Sequence, residues 1–269
     1  MADPDHPAAC SLRLAPLIDG PRRAGAVVGA GLRAAYLTFS AAELDVVALV
    51  GPDAVALPIA VQVPVLPPLR SGMPAVVGAG RVVVGGHAWR PARWWDPRPH
   101  VEATDLLLAA PRGAALVDAL DAVAAGIGGG DAQAAVLGLV HGEAHGACSL
   151  LGAGPGFTPA GDDVVAGALA VLELTARLDP QARDAVLQAA VDRTTAVSAA
   201  LLAAAARGDV VPPAARVLTA LATGAPDDAF ADAVAALHAV GGTSGRALLL
   251  GLCTALAGLV APAAVREVR

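Results

Sequence analysis

Asp162 and Asp163 are suited by type to bind a cation or move a proton, and they end a stretch that packing alone does not explain. Residues 152–163 read Gly-Ala-Gly-Pro-Gly-Phe-Thr-Pro-Ala-Gly-Asp-Asp and run straight into the apolar segment Val164 to Leu169. Glycine lets a backbone come close to a ligand and proline stiffens its path, so a rigid loop feeding a helix start is expected. Free backbone N–H groups near Gly161 would favour an anion there. A carboxylate beside them would hold a cation, Mg²⁺ being the candidate, or take a proton. Thr158, Asp162 and Asp163 are therefore the candidate catalytic residues, the two aspartates the candidate metal ligands, and Gly154, Gly156 and Gly161 candidate substrate-binding positions. Helix capping is the competing explanation: Asp162 fits an N-cap, and Asp163 fits the first turn by its charge.

A second loop, Gly241-Gly242-Thr243-Ser244-Gly245-Arg246, places two hydroxyls and a guanidinium at another helix start. These groups bind anions, which makes Gly242, Thr243, Ser244, Gly245 and Arg246 candidate substrate contacts. A plain hydroxyl cap followed by an exposed arginine would read the same way. Thr194, Thr195 and Ser198 share one face of an expected helix and could line a polar pocket or bond carbonyls of their own helix. His141 and His145 have the i, i+4 spacing of a zinc pair, but no third ligand accompanies them.

The elements that must position these groups change character along the chain. Residues 34–39, 46–50, 55–63 and 82–84 are short and rich in β-branched or aromatic residues, with turn signals between them. From about Val101 the pattern turns helical, with helices expected at 112–126, 131–146, 162–177, 180–207, 213–223, 226–240 and 245–260. The expected fold class is α+β: a small antiparallel β-sheet or barrel in a domain over 1–100, then a mostly α-helical bundle over 101–269 that carries the glycine-loop site. An internal echo aligns Gly161 with Gly245 and Gly167 with Gly251. A glycine inside a helix disfavours it by about 1 kcal/mol against alanine and commonly marks a close helix crossing.

Composition narrows the chemistry. Hydrophobic residues make up 56% of the 269 and aromatics 3%, so the core must be built from Ala, Val and Leu. The absence of lysine rules out a Schiff-base lysine and a Walker-type phosphate loop. A net charge of −6 without basic runs argues against nucleic acid as a partner. The three cysteines form no disulfide or zinc pattern and fit reduced thiols in a cytoplasmic protein, and the N-terminus does not resemble a signal peptide. Residues 247–265 carry no charge over a length that could span a membrane, but their glycines and proline fit a buried helix better.

The phrase Gly154-Pro155-Gly156-Phe157-Thr158-Pro159-Ala160-Gly161-Asp162-Asp163 resembles the signature of a bacterial family, long of unknown function, that includes the AllH-type subunit of oxamate carbamoyltransferase. Thr194 to Ser198 resembles that family's middle hydroxyl segment, and Gly241 to Gly245 its final loop. Gly242 stands where the family pattern has histidine. The resemblance implies a small anionic substrate, carbamoyl transfer between carbamoyl phosphate and oxamate in allantoin degradation, and protein partners, either other subunits or further copies of the chain. The alternative is a non-catalytic ligand-binding or regulatory subunit of a complex.

Overall fold

The computed structural model describes residues 5–39, 46–117, 120 and 130–260. Eight strands come first: β1 (His6–Ser11), β2 (Arg23–Ala30), β3 (Ala34–Thr38), β4 (Val46–Val50), β5 (Ala60–Gln62), β6 (Pro74–Gly78), β7 (Arg81–Val84) and β8 (His87–Trp95). They close into a barrel in the order β1-β5-β4-β3-β2-β6-β7-β8. The pairing is not purely antiparallel, because β1 pairs with β8 and β4 with β5 in parallel. A parallel pair cannot be joined by a tight hairpin. The chain between β4 and β5 must therefore travel back along the barrel, and the segment 51–59 does so without regular structure. This return loop replaces most of the strand expected at 55–63, and it forms part of the site described below.

The barrel interior follows the two-residue strand period. Val47 and Leu49 of β4, Ala75 and Val77 of β6, and Val82 and Val84 of β7 all point inward, with the short helix α1 (Ala15–Asp19) adding Leu17 and Ile18. Strand β4 is apolar on both faces because its alternate residues Val46, Ala48 and Val50 pack outward against Val197 and Ala200 of the helical part. A strand buried on both sides has no polar alternation.

The helices follow: α2 (Ala103–Ala114), α3 (Gly130–Val140), α4 (His145–Leu150), α5 (Ala160–Leu174), α6 (Pro180–Arg193), α7 (Ala196–Ala205), α8 (Pro212–Ala222), α9 (Asp227–His238) and α10 (Ser244–Val260). Most of the helix expected at 112–126 lies outside the described residues. Two expected helices are each broken in two. The segment 131–146 stops at Gly142, whose φ of 80° ends α3 while Glu143 N–H bonds back to Gly138. His141 and His145 therefore do not share one helix. The segment 180–207 breaks at Thr194, which is extended, and Thr195 caps the next helix by accepting the Ser198 N–H.

Helices α5 and α10 form the most extensive helix pair and are buried nearly all round. The echoed glycines lie at their crossing. A Cβ on Gly167 would collide with the Leu248 carbonyl oxygen, and one on Gly251 with that of Val164. Among the described residues no helix is long and apolar enough to cross a membrane. The uncharged run at 247–265 is, over its described part, the buried helix α10.

Candidate functional site

The glycine loop leaves α4 and enters α5 with φ of 78°, 121° and 94° at Gly152, Gly154 and Gly156. Gly152 also passes so close to the Arg193 carbonyl that a side chain there would collide with it. Loop and barrel meet through Phe157, which lies against Gly29 and packs on Tyr36 with ring centroids 5.4 Å apart.

The two aspartates take different surroundings. The residue capping α5 is Pro159, and no side chain caps that helix, so the N-cap reading of Asp162 is corrected. Asp162 sits in the first turn with 2% of its surface exposed. Its Oδ1 accepts the Gly152 N–H at 2.8 Å, and its Oδ2 accepts the Thr194 hydroxyl. It ties both ends of the loop's surroundings together.

Asp163 instead lines a cavity of about 400 Å³ between barrel and helices. Burial pushes its carboxyl up to about 8; a hydrogen bond from Ser244 opposes the rise and neighbouring Asp162 adds to it. Its Oδ2 is buried without a hydrogen-bond partner among the described residues. Thr158 Oγ1 lies 3.2 Å from Ser244 Oγ, which joins the starts of α5 and α10 at the cavity wall. The echo seen in the sequence thus becomes one wall made by two helix starts.

The remaining candidates stand elsewhere. Thr195 donates its hydroxyl to the Phe157 carbonyl at 2.6 Å, and Ser198 donates to the same oxygen at 3.4 Å. With Thr194 on Asp162, all three hydroxyls hold the glycine loop in place and none lines the cavity. Gly161 N–H is engaged by the Ala153 carbonyl and Gly245 N–H by that of Val240. Gly245 lines the cavity, whereas Gly154, Gly156, Gly161, Gly242, Thr243 and Arg246 do not. Gly242 faces open space.

The opposite wall comes from the barrel and was not foreseen. Tyr36 of β3, Val50 of β4 and the return-loop residues Val55 and Leu57 line it, with Arg33 and Asp53 exposed at the rim. Asp209 lines the floor, fully buried and held by both forks of Arg13 at 2.6 and 2.7 Å. Burial raises its carboxyl, and Arg13 and Arg207 hold it back. Which strand faces meet the helices depends on the parallel β4–β5 crossover, and no local pattern announces that.

Among the described residues no group of three or more His, Cys, Asp or Glu side chains could hold a metal ion. Burial pushes the Cys10 and Cys253 thiols up to about 12, which makes both poor nucleophiles.

Fold and cavity together define a class: a closed β-barrel followed by helices, with a carboxyl-and-hydroxyl wall facing an apolar one across a ligand-sized space. Residues 150–256 match the family model described as oxamate carbamoyltransferase subunit AllH. This match, over less than half of the chain, supports the family resemblance, and the matched stretch holds Thr158, Asp163 and Ser244. No curated protein and no solved structure matches the chain.

Proposed function

We propose that the chain is an oxamate carbamoyltransferase-type subunit, and that its junction cavity binds a small anionic substrate bearing a carboxamide. Asp163 supports this reading more than any other residue. A carboxyl that burial pushes up to about 8, on the wall of a cavity, is suited to exchange protons near neutrality, as a general acid or base must be. On this reading Thr158 and Ser244 hold the carboxamide oxygen, and the Asp163 carboxyl faces its nitrogen. In carbamoyl transfer the nitrogen would bond to the carbamoyl carbon while the carbon–oxygen bond to phosphate breaks, the phosphate leaving away from the polar wall toward Arg33 at the rim. The proton lost by nitrogen would go to the Asp163 carboxylate. The family name also supports protein partners, and we assign the helical domain, over 101–269, the site and the barrel domain, over 1–100, its second wall.

The donor set does not fit Mg²⁺. Both oxygens of Asp162 accept hydrogen bonds from the protein, and among the described residues no group of three or more His, Cys, Asp or Glu side chains could hold a metal ion. The rival reading, a non-catalytic binding subunit, draws on Gly242, which leaves the second loop without the family's histidine.

Isothermal titration with oxamate, followed by turnover assays with carbamoyl phosphate, tests the proposal. Binding that drops at least about tenfold in Ser244→Ala is expected, the usual scale for losing a buried hydrogen bond to a ligand. Undiminished binding in that variant would place the ligand elsewhere. Binding without turnover would select the non-catalytic reading.

A further inference from the structure

The cavity is larger and more apolar than oxamate requires. Oxamate is a handful of atoms, whereas a space of about 400 Å³ falls in the range that holds ligands several times that size. Between the polar wall and the rim the lining is apolar apart from Asp209 on the floor, which Arg13 holds: Val55 and Leu57 come from the return loop, Leu201 from α7 and Leu248 from α10. The polar wall itself carries no cation. Its groups are a carboxyl and two hydroxyls, and the N–H groups of Gly161 and Gly245 are engaged by backbone carbonyls. A phosphate would meet no guanidinium at that wall, since the exposed Arg33 stands at the rim beside Asp53. A neutral amide or urea, which both donates and accepts, matches it better, pairing its N–H and carbonyl groups with the Asp163 carboxyl and the two hydroxyls.

We infer that the cavity is built for an amide- or ureido-headed compound with an apolar body the size of a leucine side chain, head against Thr158, Asp163 and Ser244, body along Leu57, Leu201 and Leu248. The inference rests on the reading that this cavity is the ligand site. It goes further in assigning the apolar lining a role in specificity and in denying phosphate the polar wall. Leu57 is the residue to vary, because it lies on an irregular loop and not inside a strand or helix.

The test is calorimetric titration of the full chain at pH 7 with oxamate, N-carbamoylglycine, N-carbamoylleucine and inorganic phosphate, in wild type and Leu57→Ala. N-carbamoylleucine should bind about tenfold or more tightly than N-carbamoylglycine, as burial of several apolar carbons predicts. That ratio should shrink in Leu57→Ala, and phosphate should not compete. Equal affinity for the two carbamoyl compounds, with oxamate still bound, would overturn the inference and leave the site reading standing. Phosphate competing with N-carbamoylleucine would overturn the choice of head group. If none of the compounds binds, the site reading fails and the inference with it.

Discussion

At Asp163 the surroundings disfavour charge because water is excluded, the nearest donor is a single Ser244 hydroxyl, and Asp162 adds a second negative charge. The sign of the consequence for stability is fixed. Below pH 3.8, the ordinary value for this group, folded and unfolded chains both carry the proton. Between 3.8 and about 8 the unfolded chain ionises first, so stability falls as pH rises and levels off above about 8. Asp163→Asn removes this dependence. Urea titrations of both proteins from pH 4 to 9 should show the variant gaining on wild type by on the order of a few kcal/mol across that window. A constant offset would mean that Asp163 ionises normally. Ser244→Ala should raise the Asp163 carboxyl further, because it removes the hydrogen bond that favours the ionised form.

At the scale of elements, the paired glycines let two helix starts share one wall. Gly167 and Gly251 bring α5 and α10 to a crossing with backbone against backbone. Gly251→Ala would gain about 1 kcal/mol of helix propensity but force the helices apart, and overpacking of this kind costs about 1–3 kcal/mol. Net destabilisation is expected in thermal or urea melts. Gly242→His should leave stability within about 0.5 kcal/mol, because a side chain there meets open space. The crossing was legible as two glycines at matching offsets, and the loop as a stretch that no regular element could contain. The roles of Thr194, Thr195 and Ser198 were not. Spacing put them on one helix face, yet Thr195 uses its hydroxyl to break that helix, and the loop it then grips lies some forty residues away. A hydroxyl's choice between cap, helix and distant carbonyl is made by tertiary packing.

For the whole molecule, the barrel supplies half of the cavity, and this half was the least visible in the sequence. Strands β1, β2, β6 and β8 are rich in Ala, Gly, Pro or Arg and lack a clear apolar alternation, so only the central β3 and β4 and parts of β5 and β7 stood out. Asp53 reaches the site on the loop of the parallel β4–β5 crossover and Asp209 through its long-range pair with Arg13, while Arg33 and Tyr36 come from β3 and the turn before it. Arg13 reaches from just after β1 to a fully buried carboxylate after α7 and fastens the barrel to the helices. Arg13→Ala would leave that charge with Arg207 alone, 3.8 Å away, and should cost about 2–4 kcal/mol, toward the lower end because Arg207 remains and Arg13 is partly open to water. Replacing both partners by apolar residues should cost less than Arg13→Ala alone, which a denaturation series on the single and double variants can check.

On the proposed reading Asp163 is a proton-exchanging group facing a ligand. Carboxyl ¹³C chemical shifts followed against pH, with the Asp163 signal assigned by its loss in Asp163→Asn, measure this directly. A midpoint near 8 in the free protein, moving when oxamate is added, is expected. A midpoint in the ordinary aspartate range, unmoved by oxamate, would contradict that reading.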